Sequence, residues 1–156
     1  MLHTYRLVRL IETHSEELAA RLVEKVRVSP NSPSYRNVPA DELKQRVFEI
    51  YQHLGEWLLG KREEDIGRRY REIGARRFQQ QVPLSELIWV LVLTKETMWD
   101  YVKDMILENQ EQVAGELEVL ELIGQFFDRA IHSTAEGYQQ ALGAEHPREL
   151  TPGSPK

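Results

Sequence analysis

The sequence contains no cysteine, which excludes disulfides, thiolate metal sites and a cysteine nucleophile and suits a reducing compartment. It has no long apolar run either. The longest, Leu87 to Leu93, is seven residues, against about 20 for a membrane span. After Met1-Leu2-His3-Thr4-Tyr5-Arg6 comes no apolar block of the kind a signal peptide carries. Basic residues are in the minority: 20 Lys and Arg against 25 Asp and Glu give a formal net charge of −5. An acidic chain is a poor match for the polyanion of duplex nucleic acid. These absences lead to the expectation of a soluble, cytoplasmic protein that neither enters a membrane nor binds nucleic acid.

Recognisable catalytic motifs are missing as well. None of the five histidines has a glutamate three residues before it, as the Glu-x-x-His pairs of di-iron bundles require. No His-Glu-x-x-His, Gly-rich phosphate loop or Gly-x-Ser-x-Gly elbow occurs. The chain is therefore expected to be a binding or regulatory module rather than an enzyme, and no cofactor is required.

What is present is helical periodicity. Five stretches repeat their apolar residues at helical spacing, and none alternates with period two over the length of a strand. The first runs from about Leu2 to Val28, with Leu7, Val8, Ile11, Leu18, Leu22 and Val26 on one face. The segment Ser29-Pro30-Asn31-Ser32-Pro33-Ser34 then forbids α-helix. Pro39-Ala40-Asp41-Glu42 restarts one, with acidic residues placed to favour the macrodipole. Its stripe is Leu43, Val47, Ile50, Leu54, Trp57 and Leu58, and Gly60 closes it. The third covers about Glu63 to Gln81, with Ile66, Tyr70 and Ile73 inward. Pro83 opens the fourth, which reaches about Leu107. The fifth, from about Glu111 to Leu142, has Val113, Leu117, Leu120, Gly124, Phe127, Ile131 and Tyr138 in near-heptad order. The expectation is an all-α single domain over residues 1–143, a bundle of about five helices or a globin-like stack. Residues 144–156, rich in proline and polar residues, read as a disordered tail.

Several residues stand out from this pattern. Gly67 and Gly74 lie seven apart on one face of the third helix, as a close helix crossing would need. The fourth helix is apolar on two sides, with Leu84, Leu87, Ile88, Leu91, Met98, Trp99, Val102 and Met105 in front and Trp89, Val90 and Leu93 behind. Such a helix is either central in its own domain or shared with a second chain, and in the latter case Trp89, Val90 and Leu93 form the seam of a homodimer. His14 and His53, at the edges of two stripes, could face one another and ligate haem or a metal; as boundary residues they would only hydrogen-bond at the rim of the core. Between Lys61 and Arg77 seven basic residues interleave with four acidic ones, which could bind phosphate or RNA; without an aromatic stacking platform the pattern is more often a solvated face whose charges support each other three or four apart. Arg77 projects at the angle of Ile66, Tyr70 and Ile73, and Lys95 sits inside the front stripe of the fourth helix. A buried unpaired cation is costly. Each therefore either finds an acidic neighbour such as Glu86, Glu96 or Glu116, or borders an anionic ligand site made by Arg77, Lys95 and Trp99.

The run Arg71-Glu72-Ile73-Gly74-Ala75-Arg76-Arg77-Phe78-Gln79-Gln80-Gln81-Val82-Pro83-Leu84, followed by Leu87 and Trp99-Asp100-Tyr101, resembles the N-terminal domain of the RsbR-type regulators, stressosome components and co-antagonists of the RsbT kinase. The shared pattern is Gly-x-x-Arg, a glutamine-rich turn into Pro-Leu, and a tryptophan some fifteen residues on. Gly74, Arg77, Pro83, Leu84 and Trp99 carry it. The resemblance implies a helical sensory input domain, often dimeric, which usually precedes an output module such as a STAS domain. It implies a regulatory protein partner and supplies no catalytic residue. A stand-alone input domain acting through homodimerisation or a docked partner is the functional expectation, with a small-ligand or haem carrier as its rival.

Overall fold

The computed structural model describes residue 9 and residues 11–58, 60, 63–108 and 113–145, leaving aside the side chains at 52, 53, 58, 63, 105–108 and 113–119. Among the described residues there are five α-helices and no strand. They are α1 (Ser15–Val28), α2 (Ala40–Leu58), α3 (Glu63–Gln79), α4 (Leu84–Glu108) and α5 (Val113–Glu145), with a 3-10 helix, η1 (Pro33–Asn37), between the first two. The expected all-α bundle is what forms. None of these helices is long and apolar enough to cross a membrane.

The first helix departs from its expected course. Residues 11–13 are helical, but the chain breaks at His14 before α1 resumes. His14 makes no side-chain cap bond, and the Ser15 hydroxyl donates back to the Glu12 carbonyl at 2.8 Å. A serine bonding to an earlier carbonyl competes with the helical ladder, which accounts for the interruption. Leu2 to Val8 lie outside the described residues.

The link after α1 is more ordered than its prolines suggested. Pro33 stands in the first turn of η1, where a fixed φ and a missing N–H cost nothing. Ser32 donates its hydroxyl to the Val26 carbonyl at 2.8 Å, closing the end of α1. Arg27 reaches across to the Val38 carbonyl at 2.7 Å. Glu86, buried in the first turn of α4, accepts from both the backbone N–H and the hydroxyl of Ser34, each at 2.7 Å.

The core collects the inward stripes of all five α-helices. Leu43, Val47, Ile50 and Leu54 of α2 are buried as their spacing predicts, and Gly60 beyond its end adopts a φ of 93°. Ile66 and Tyr70 of α3 are buried, with Ile73 partly so. On α5 the buried line is Leu120, Ile123, Phe126, Phe127 and Ala130. Leu120 and Phe127 were expected there; Gly124 was too, but a Cβ at that position would meet nothing within 4 Å. Val113 and Leu117 fall among the undescribed side chains. The helix also runs on to Glu145, because the Gly143-Ala144-Glu145 step contains no helix breaker stronger than one glycine.

Glycine governs the contact between α3 and α5. A Cβ on Gly74 would stand 2.9 Å from the Thr134 carbonyl carbon and 2.9 Å from the Tyr138 nitrogen. Reciprocally, a Cβ on Gly137 would stand 2.6 Å from the Arg71 Cα. The two backbones therefore touch where each helix lacks a side chain. Gly74 was expected to mark such a crossing, but its partner Gly137 was not. Gly67 takes a looser part: a Cβ there would meet side chains only, the Arg71 guanidinium at 3.1 Å and the Ser133 hydroxyl at 3.5 Å.

Candidate functional site

The segment that carries the glutamine-rich motif ends α3 in a Schellman turn. Val82 donates its N–H to the Arg77 carbonyl at 3.1 Å and Gln81 to the Phe78 carbonyl at 3.0 Å. Such a turn needs a left-handed residue, a position usually given to glycine, and here Gln81 fills it with a φ of 61°. Pro83 cannot continue a helix, but its carbonyl accepts from Glu86 and Leu87 and so starts α4. Tyr138 of α5 holds the turn from the other side: its hydroxyl donates to the Val82 carbonyl at 2.7 Å, and its ring meets Phe78 edge-on at 5.4 Å.

This turn forms one wall of a cavity of about 410 Å³. The start of α2 and η1 form the rest, through Tyr35, Glu42 and Arg46. Arg77 is 6% exposed there. Its charge cannot be shed by deprotonation, yet among the described residues no carboxylate pairs with it. Its Nη1 donates to the side-chain carbonyl of Gln80 at 3.0 Å. Arg46 Nη1 donates to the same oxygen at 3.2 Å, while its Nη2 pairs with Glu42 one turn earlier. Tyr35 is 3% exposed, and its hydroxyl has no hydrogen-bond partner among the described residues. Burial pushes the Tyr35 phenol well above the usual tyrosine range; Arg46 opposes that rise and Glu86 adds to it. The phenol therefore remains a neutral O–H donor at ordinary pH. Chemically the cavity holds two guanidinium groups, an uncommitted hydroxyl and one carboxylate already in use.

The anion site expected from Arg77, Lys95 and Trp99 is not assembled in that form. Arg77 is buried, as its angle on α3 required. Lys95 instead turns toward α5, its side chain 32% exposed, with Nζ 3.8 Å from an oxygen of Asp128. Its stem lies along the apolar stripe while the head reaches a carboxylate at the surface. Trp99 packs against the core, and its indole N–H has no partner among the described residues. Neither Glu86 nor Glu96 supplies the expected ion pair among the described residues, and the side chain of Glu116 lies outside them. Tyr35, Arg46 and Gln80 were not foreseen. Arg46 bears a visible signal, since Glu42 sits four residues before it, but only the folded chain shows that it meets Arg77.

The other candidates resolve as follows. Val90 and Leu93 are 6% and 8% exposed, and Trp89 donates its indole N–H to the Ser29 hydroxyl at 2.8 Å. The same side of α4 carries Asp100, paired with Lys25 of α1 at 3.6 Å, and Tyr101, whose ring lies 5.6 Å from that of His14. The back patch of Trp89, Val90 and Leu93 is thus covered within the chain, chiefly by the α1 side. This corrects their assignment to a homodimer seam: α4 is the central helix, sandwiched between α1 and α5. His14 stands 3.7 Å from Glu17 and remains 40% exposed in its side chain, the behaviour of a boundary residue. His53 falls on α2, and its side chain lies outside the described residues. The interleaved charges of α3 pair as spacing suggested, Arg68 with Asp65 and Arg69 with Glu72, and Arg69 also reaches Glu49 of α2 at 3.0 Å.

The family described as the RsbT co-antagonist protein rsbRD N-terminal domain covers residues 16–149. No curated protein and no solved structure matches the chain.

Proposed function

The chain belongs to the rsbRD N-terminal domain family of RsbT co-antagonist proteins, and on that premise we propose that it is a regulatory input module whose output is a change in protein–protein contacts, including contacts with a second copy of itself. The observation that carries this reading is the extent of the match. Residues 16–149 take in all five α-helices but for Ser15, so the whole bundle is the regulatory unit.

The architecture supports it. At 33 residues α5 spans about 50 Å, and it touches α2, α3 and α4 in turn. Trp57 of α2 donates its indole N–H to the Leu122 carbonyl at 3.2 Å. Asp128 meets Lys95 of α4, and Gly137 and Tyr138 grip α3 and the turn that follows it. A helix in contact with three of the other four α-helices can carry a displacement from one end of the bundle to the other. Partners are then regulatory proteins of the RsbT pathway, to which the family name refers.

Light scattering at micromolar concentration should give about twice 18.3 kDa. Titration against an RsbT-type kinase, alone and with its antagonists, should show saturable binding. A monomer that engages neither itself nor any of these proteins overturns the reading.

A further inference from the structure

We infer that the cavity between η1, the start of α2 and the turn after α3 binds a small molecule bearing a carboxylate or phosphate, whose oxygens displace the Gln80 carbonyl from between Arg46 and Arg77. As a ligand site it stands on the cavity alone; only its role as the sensed signal rests on the regulatory reading above.

Three observations converge. Arg77 is buried with a neutral amide as its recorded partner, and a guanidinium taken out of water calls for an anion. The Gln80 oxygen accepts from Arg77 at 3.0 Å and from Arg46 at 3.2 Å. One oxygen held by two guanidinium groups is the position an oxyanion would occupy, and charged acceptors form hydrogen bonds about twice as strong as neutral ones. Gln80 is exposed, so its side chain can leave without unpacking the core. Tyr35 lines the same cavity with a buried hydroxyl that no described residue engages, a further donor for the ligand.

The two nearby carboxylates do not fill the place. Glu42 is engaged with Arg46, and Glu86 accepts twice from Ser34. The lining therefore holds two cations, Arg46 and Arg77, against one carboxylate, Glu42. A volume of about 410 Å³ lies within the range of small-molecule sites, roughly 300–1,000 Å³. Occupation would also be felt elsewhere, because the Val82 carbonyl two residues after Gln80 is tied to Tyr138 on the long helix.

The test uses the whole chain and two probes, inorganic phosphate and succinate, with chloride at matched ionic strength as control. Thermal melts of the wild type should rise with the logarithm of anion concentration, by about 5–10 °C at a hundredfold excess over Kd. The stronger of the two responses identifies which oxyanion the site prefers. Gln80→Glu places an internal carboxylate between the two guanidinium groups; it should raise the Tm without ligand and weaken anion binding at least tenfold in calorimetry. Arg46→Gln should weaken binding to a similar extent. A wild-type Tm that neither probe raises above the chloride control overturns the inference. So does a response that survives either substitution at full strength. Both readouts are binding by the chain alone, so their failure leaves the protein-contact reading untouched, and the reverse also holds.

Discussion

Replacing Gly74 by alanine sets two opposing effects against each other. In an open helix the change stabilises by about 1 kcal/mol, because glycine has the poorer helix propensity. At Gly74 the new Cβ would stand 2.9 Å from the Thr134 carbonyl carbon, with the carbonyl oxygen closer still. Carbon atoms in favourable contact sit about 3.5–4.0 Å apart, so α3 and α5 must separate by about 1 Å. The atoms in the way are backbone, which cannot rotate aside as a side chain would. Overpacking of this kind costs about 1–3 kcal/mol and sometimes more. With backbone in the way the steric cost should sit at the upper end, about 3 kcal/mol, leaving a net loss of about 2 kcal/mol and a Tm lower by roughly 4–8 °C. Gly124→Ala on α5 is the matched control, because its Cβ meets nothing within 4 Å; it should stabilise by about 0.5–1 kcal/mol. Gly137→Ala should behave like Gly74→Ala, and the double variant should lose less than the two losses added, since one separation serves both. Urea denaturation followed by circular dichroism measures all four, with a constant slope as the sign of unchanged compactness. A Gly74→Ala protein as stable as the wild type would refute the close crossing.

Gln81→Gly should stabilise by up to about 1 kcal/mol, because glycine enters the left-handed region without the Cβ penalty that Gln81 bears at a φ of 61°; a lower urea midpoint would contradict the Schellman assignment. Trp89→Phe removes the bond to Ser29 and should cost about 0.5–1.5 kcal/mol while leaving self-association unchanged. Loss of self-association at full stability would instead restore Trp89 to an interface. Burial raises the phenols of Tyr35, Tyr51 and Tyr70 above the ordinary tyrosine value of 10.0. The folded state therefore holds these protons more tightly than the unfolded one, so stability is flat below about pH 10 and falls above it, by up to about 1.4 kcal/mol per pH unit for each phenol. In an alkaline titration followed by phenolate absorbance these three should ionise together with loss of helical circular dichroism, not before it.

Much of the helical layout was legible because it depends on local rules. Proline at 83 and glycine at 60 punctuate the chain, and the stripes of α2 and α3 repeat at the helical period. The depth of Arg77 followed from the same periodicity. Its surroundings did not, since Arg46 and Tyr35 reach it from segments more than thirty residues away, and no local pattern encodes that meeting. The two-sided apolarity of α4 was visible, but whether α1 or another chain would cover Trp89 depends on where the link through Ser29 turns. Gly137 was missed for a related reason. Reading α5 as a near-heptad placed Gly124 inward, where a Cβ would meet nothing, and passed over Ile123, Ala130 and Gly137, which stand at heptad spacing beside the packed Leu120, Phe127, Ile131 and Tyr138. The family resemblance rested on the turn between α3 and α4, where local sequence and tertiary contact coincide.

The meeting of Gly74 and Gly137 has a mechanical consequence. Each notch admits one carbonyl of the opposite helix, and a step of one residue along either axis would drive a Cβ into that carbonyl. Sliding of α3 past α5 is therefore blocked in both directions, with no yielding layer of side chains between them. The pair behaves as a single strut, while α4 rests against α1 and α5 through side chains that can change rotamer. Amide hydrogens around Gly74 and Gly137 should then be the slowest in the molecule to exchange. Any movement that reports a signal is left to the joint at the described end of that strut, the turn at Gln81.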